Sequence, residues 1–257
     1  MSKFFVKSQK INNNEIIIDT EDVNHIKNVL RKKIDYDILI CGYEKKINYN
    51  CKIKDISKKE IICEIISLRK TESESNIKID IFQGLPKADK MELIIQKGTE
   101  LGVNCFYPVI FKRSIVKIAE KDSLSKISRW QKIAEVAAKQ SGRDMIPLIK
   151  KIENLKNICK LFESYDIVLV AYENERNNYL KKELKNLIIT NNEEIKIAVI
   201  IGPEGGIDPE EISIMENYGA KIITLGKRIL RTETVCLAIT AIINYELEST
   251  EELKYEK

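Results

Sequence analysis

Short apolar runs punctuated by polar stretches recur through the first 70 residues. Short runs at Lys3–Val6, Glu15–Ile18, Asp37–Ile40, Ile47–Ile53 and Ile61–Ile66 read as strands, and Asn48-Tyr49-Asn50-Cys51-Lys52-Ile53 has the period of two expected of a half-buried strand. One helix interrupts them. It begins near Thr20 or Asp22 as N-cap and places Val23, Ile26, Val29 and Leu30 on one face. Together these elements predict a small β-barrel or β-rich domain over residues 1–70, and the polar stretch from Arg69 to Asn76 contains a linker at 71–76.

From residue 77 to 257 the rhythm becomes strand, helix, strand, helix. Strands are expected at Ile77–Phe82, Cys105–Ile110, Ile167–Ala171, Ile195–Ile201 and Ala220–Leu225. Helices are expected at Asp89–Leu101, stopped by Gly102, at Ser123–Ser141, at Asn177–Leu187 and from Thr232 to Glu246. Asp208-Pro209-Glu210-Glu211 combines an N-cap, a first-turn proline and a capping-box acid, and opens a further helix that Gly219 ends. This alternation predicts an α/β domain with a mostly parallel sheet and helices on both faces.

Two loops leave the carboxyl ends of predicted strands in that domain: Gly202-Pro203-Glu204-Gly205-Gly206 and Leu225-Gly226-Lys227-Arg228-Ile229-Leu230-Arg231-Thr232-Glu233-Thr234. Open α/β sheets bind ligands at such ends, and glycine lets backbone approach a ligand closely. Taken singly, either loop could be an ordinary strand-to-helix turn; the two in succession describe a small-molecule pocket. Neither matches GxGxxG with an acid about twenty residues on, nor GxxxxGK[ST], so a dinucleotide site and a phosphate-cradling P-loop are disfavoured.

Composition narrows the class further. No run of about eighteen apolar residues exists, which argues against a membrane span, and the first residues lack the pattern of a secretory signal, so the expected location is the cytoplasm. Six scattered cysteines without close CxxC pairing read as buried free thiols rather than a zinc site or a disulfide framework. The sole histidine, His25, excludes histidine-rich metal sites, and no metal is expected. A net charge of +4 does not identify a nucleic-acid binder. Basic residues nevertheless crowd two stretches: Lys7, Lys10, Lys27, Arg31, Lys32 and Lys33, then Lys112, Arg113, Lys117, Lys121, Lys126 and Arg129.

The two loop segments, with His25, Val29-Leu30-Arg31, Lys90 with Glu92, Gln96-Lys97, Glu100-Leu101-Gly102, Arg113-Ser114, Trp130 and Gln140-Ser141-Gly142-Arg143, carry a resemblance that covers nearly the whole chain. In these residues the sequence resembles the SPOUT methyltransferases, and within them the RsmE type, which methylates N3 of a uridine in 16S ribosomal RNA. One departure is Val235-Cys236, where many relatives carry small residues.

The resemblance implies a deep C-terminal trefoil knot, an N-terminal PUA-like barrel that helps hold RNA of the small ribosomal subunit, a homodimer, and S-adenosylmethionine bound in the knot. Carried over, Ile201, Gly202, Glu204, Gly205 and Gly206 of the first loop, Leu225, Gly226, Ile229, Leu230 and Thr234 of the second, and Ala171 at the end of the preceding strand would surround the cofactor. Deprotonated uridine needs its charge stabilised, which suits Arg231, with Arg113 or Arg143 of the second copy in the dimer assisting. Glu233 or Glu204 would orient the arginine or accept the proton. Lys7, His25, Arg31, Lys32 and Arg113 are the expected RNA contacts. The residues themselves leave two alternatives: a ribose 2′-O-methylating relative of the same class, and a non-catalytic RNA-binding or assembly protein.

Overall fold

A computed structural model of the chain describes residues 3–12, 14–42, 47–70, 73–116, 118, 120–185, 187 and 194–255. Lys117 and the first two residues of the expected linker, 71 and 72, lie outside the described residues. The chain divides into two units, Met1–Glu74 with Ala138–Ile146 (unit 1) and Ser75–Ala137 with Pro147–Lys257 (unit 2).

Unit 1 is built on β1 (Lys3–Val6), β2 (Glu15–Ile18), β3 (Asp37–Gly42), β4 (Ile47–Ile56) and β5 (Ile61–Lys70), ordered β1-β3-β4-β5-β2. Among the described pairs of this sheet, only β1–β3 is parallel. Alternation drives Ile16, Ile18, Ile38, Ile40, Cys51, Ile53, Ile61 and Cys63 into one core with Val23 and Ile26. The helix between β2 and β3 differs from the expected one. A short α1 (Asp22–Asn24) continues as a π-helical turn over His25–Val29, closed by Leu30 N–H donating to the His25 carbonyl at 2.9 Å. The wider turn rotates the register, so Val29 is 62% exposed and Leu30 packs on the core in its place.

The segment Ala138–Ile146 brings charged groups into this unit's interior. Arg143 and Asp144 are buried. Asp144 accepts from Lys3 Nζ at 2.5 Å, Asn48 Nδ2 at 2.6 Å, and Ser73 Oγ and N at 2.7 and 3.0 Å. Burial alone would raise its pKa; the Lys3 ammonium and the Ser73 and Asn48 hydrogen bonds outweigh it and hold the carboxyl well below the ordinary range. Arg143 donates to Glu74 at 2.6 Å and 3.2 Å.

Unit 2 follows in chain order as β6 (Ile77–Gly84), α2 (Lys90–Glu100), β7 (Cys105–Ile110), α3 (Glu120–Ser141, shared with unit 1 from Ala138 onward), β8 (Leu148–Ile149), β9 (Glu153–Asn154), α4 (Leu155–Cys159), β10 (Ile167–Ala171), α5 (Leu180–Lys185), β11 (Ile195–Ile201), α6 (Pro209–Asn217), β12 (Lys221–Ile223) and α7 (Thr232–Tyr255). The sheet runs β12-β10-β11-β6-β7-β8, with β9 also on β7, and every described pair in it is parallel. Phe82, Val168, Val170, Ala198, Ile200 and Ile222 pack on one face with Ile158, Phe162, Ile212 and Met215 of the helical layer. Period two sends Ile79, Ile81, Leu169, Ile197 and Val199 to the opposite face, where α7 runs against β6 and β11 and carries α2 and α5.

Local signals set several ends. Asp208 completes the capping box of α6 with Glu211, and Gly219, at φ +86°, ends that helix. The expected helix at 177–187 is shorter, Leu180–Lys185, and the last strand is only Lys221–Ile223. All six cysteines are buried and free, and burial pushes the Cys51, Cys63 and Cys236 thiols up to about 12.

Candidate active site

Three adjacent strands of unit 2 end level with one another: Ala171 of β10 pairs with Ile201 of β11 on one side and with Ile223 of β12 on the other. Beyond these ends the chain opens a cavity of about 500 Å³, the size range of a cofactor site. Of the residues named from the sequence, Ala171, Ile201, Gly202, Glu204, Gly205, Gly206, Leu225, Gly226, Ile229, Leu230 and Arg231 line it. Thr234 and Glu233, one turn into α7, stand outside the lining set, Thr234 exposed and Glu233 half-buried.

The glycines are dictated by space and by backbone. Gly206 (φ +71°) and Gly226 (φ +122°) occupy the left-handed region. Their surroundings differ: a Cβ on Gly206 would collide with the Glu173 carboxylate, whereas one on Gly226 would meet nothing within 4 Å. Gly84, at the end of β6, lets the first loop settle; a Cβ there would stand 2.5 Å from Pro203 N.

The two loops are tied together by groups distant in sequence. Thr232 Oγ1 donates to the Gly202 carbonyl at 2.7 Å and accepts from Gln83 Nε2 at 2.8 Å. Lys90 of α2 faces both acids, with Nζ 3.0 Å from Glu204 Oε1 and 3.4 Å from Glu233 Oε2. Glu204 also accepts from the Lys87 N–H at 3.0 Å. Although burial acts against its charge, its own backbone N–H and Lys90 lead the groups that hold its carboxyl below the ordinary value, while the Glu204 hydrogen bond raises Lys90. Glu233 Oε2 is buried and, beyond this ion pair, has no hydrogen-bond partner among the described residues.

Charges on the cavity wall are arranged differently. Arg231 is exposed, and its guanidinium makes no ion pair among the described residues. Arg113 lies beside the first loop, its carbonyl 3.0 Å from where a Gly205 Cβ would stand and its guanidinium 3.3 Å from Asp208. Arg143 belongs to unit 1 and is engaged by Glu74 there.

The expected RNA contacts Lys7, His25, Arg31 and Lys32 all belong to unit 1. Lys7, His25 and Arg31 are exposed, Arg31 at φ +50°, and Lys32 lies 4.8 Å from the centroid of the Tyr36 ring. Among the described residues no cluster of His, Cys, Asp or Glu could hold a metal ion, and no helix is long and apolar enough to cross a membrane.

Sequence reasoning left Gln83, Lys90, Glu173 and Thr232 out of the site. Lys90 was visible as a motif residue without a role, and Glu173 stands two residues past a strand end already in view. Thr232 stood in the second loop segment without a role of its own and Gln83 carried no signal, because their partnership spans 149 residues.

Comparison with known proteins agrees with this arrangement. An RNA methyltransferase domain family matches residues 73–244, and an RNA methyltransferase PUA domain family matches residues 18–66. The Ribosomal RNA small subunit methyltransferase E of Bacillus subtilis is 33% identical over 96% of this chain and 98% of its own length. A Ribosomal RNA small subunit methyltransferase E from Neisseria gonorrhoeae, crystallised with S-adenosyl methionine, superposes with a TM-score of 0.81 at 28% identity, covering 95% of this chain and 97% of that one. A Legionella pneumophila methyltransferase solved with the same cofactor gives 0.82 at 25% identity, over 95% and 97% of the two chains. With a parallel-sheet cavity of this construction and relatives of this identity along nearly its whole length, the chain belongs to the ribosomal RNA small subunit methyltransferase E family.

Proposed function

We propose that the chain transfers a methyl group from S-adenosylmethionine to RNA of the small ribosomal subunit, and that the accepting atom is N3 of a uridine in 16S ribosomal RNA. The observation that carries this reading is the cavity at the carboxyl ends of β10, β11 and β12, walled by two glycine-bearing loops, in a chain of this family. Its residues fit the cofactor. Gly226 keeps an open cradle and Ile201, Leu225, Ile229 and Leu230 supply apolar wall for an adenine.

S-adenosylmethionine, when bound, supplies an electrophilic methyl on a sulfonium. The chain must do the rest. Uridine N3 carries a proton, so its lone pair can form the new N–C bond, as the C–S bond breaks toward sulfur, only when that proton leaves and the charge on the ring oxygens is stabilised. Arg231, unpaired on the cavity wall, takes that charge, with Arg113 beside the first loop in support. Glu233 and Glu204, both facing Lys90, orient the site, and Glu233 is the better placed of the two to receive the proton because Glu204 is also held by the Lys87 N–H. Arg143, paired with Glu74, serves architecture.

Lys7, His25, Arg31 and Lys32 contribute RNA contacts from unit 1. A homodimer, a knotted unit 2 and a cytoplasmic location complete the reading. It is tested by incubating the protein with methyl-labelled S-adenosylmethionine and small subunits from cells lacking the gene, then digesting the RNA to nucleosides. The expected product is 3-methyluridine; 2′-O-methylated nucleosides, or no transfer, would overturn it.

A further inference from the structure

Three carboxylates belong to this site, and two of them are accounted for. Glu204 is engaged by Lys90 and the Lys87 N–H, and Glu233 faces Lys90. The third, Glu173, lines the cavity and makes neither hydrogen bond nor ion pair among the described residues, although Lys90, Arg228 and Arg231 line the same space. It is half-buried.

The backbone opposite is shaped around it. Gly206 sits at φ +71°, and the Glu173 carboxylate occupies the volume that a side chain at 206 would need. The Glu173 carboxylate therefore lies against the Gly206 Cα, two residues past the carboxyl end of β10. An unpartnered carboxylate in such a place offers acceptors to a ligand rich in donors and positive charge. S-adenosylmethionine has both: a ribose diol, an α-ammonium and the sulfonium.

We propose that Glu173 is a cofactor-binding residue whose carboxylate accepts hydrogen bonds from S-adenosylmethionine, at its ribose diol or its α-ammonium. The inference rests on the methyltransferase reading and adds to the wall an anionic group that, unlike Glu204, no described cation engages. Arg228 and Arg231 remain available to the cofactor carboxylate and to RNA, so the two ends of the cofactor meet opposite charges.

Calorimetric titration of the full-length chain and of Glu173→Gln tests it, with S-adenosylmethionine, S-adenosylhomocysteine and 5′-methylthioadenosine as probes. The near-isosteric change should raise the S-adenosylmethionine Kd about tenfold or more, the scale of a lost hydrogen bond to a charged group. Equal weakening of 5′-methylthioadenosine, which has the diol and no ammonium, assigns the ribose; weakening confined to the two amino-acid-bearing ligands assigns the ammonium. Glu173→Asp should recover part of the affinity, and unchanged melting of the ligand-free variants separates this from misfolding. A Glu173→Gln Kd within twofold of wild type for all three probes overturns the inference while leaving the methyltransferase reading intact. A wild-type chain that fails to bind S-adenosylmethionine overturns both.

Discussion

Polar groups are treated in opposite ways in unit 1 and at the cavity of unit 2. In unit 1, Asp144 is buried and its carboxylate is met by Lys3, Asn48 and Ser73, while Arg143 is met by Glu74. At the cavity, Glu173 and the Arg231 guanidinium have no described partner, and Glu233 Oε2 has only a 3.4 Å ion pair. A buried polar group met by its neighbours serves the fold, whereas a charged group on a cavity wall without a protein partner stays open to a ligand. The contrast separates two sets of arginines and acids that look alike in the sequence. It can be broken by experiment.

The largest effect belongs to the satisfied cluster. Replacing Asp144 by alanine leaves the Lys3 ammonium, on a residue only 6% exposed, with the Gly142 carbonyl but no counter-charge, and removal of one partner from a buried pair costs about 3–5 kcal/mol. Hydrogen exchange across β1, β3 and β4 should accelerate, while S-adenosylmethionine affinity of the folded protein stays within twofold. The pH dependence has a definite sign. The folded-state pKa of Asp144 is depressed, so its contribution is complete above about pH 4, the unfolded aspartate value, and is lost as pH falls through the folded value. Asp144→Asn should flatten that acid-side loss. An Asn variant whose stability falls with acid as steeply as that of wild type would show that the network is not the acid-sensitive element.

Arg231 makes the opposite prediction. Because no described group depends on it, Arg231→Ala should leave the melting temperature and cofactor Kd nearly unchanged. Methyl transfer should fall by about 100- to 1,000-fold, the scale of removing one donor that stabilises transition-state charge. The effect should appear in kcat, since the charge develops only as the uridine proton leaves. A variant that unfolds, or one that turns over normally, would place Arg231 with the architectural arginines instead.

Legibility followed the range of the interaction. Short apolar runs located β1, β2, β7, β10 and β11 to the residue, and capping chemistry placed α6, because each signal lies within a few neighbours. The two-residue strands β8 and β9 and the short α4 carried too little pattern to be read. The π-helical turn at His25–Val29 defeated a helical wheel drawn at 3.6 residues per turn, which is why Val29 was assigned inward and is exposed. The loops of the site were visible as glycine-bearing strand exits, but the bonds that join them were not. Glu74 and Arg143 are 69 residues apart, Gln83 and Thr232 149, and no local pattern announces such pairs.

Thr232 stands between the two regimes and gives the smallest of these effects, but the most diagnostic one. It is a satisfied polar group inside the functional cavity: its hydroxyl donates to the Gly202 carbonyl and accepts from Gln83, and only 6% of the residue is exposed. Valine keeps the shape and removes both bonds, leaving the Gly202 carbonyl without this donor, at a cost of about 1–3 kcal/mol. Because that carbonyl belongs to the first loop and Thr232 closes the second, the loss should be shared between stability and binding: a lower melting temperature and a cofactor Kd raised severalfold. Thr232→Ser restores the hydroxyl and should recover both. If Thr232→Val lowers stability alone, the loops keep their geometry without the bond, and the division between architecture and function runs cleanly through the site itself.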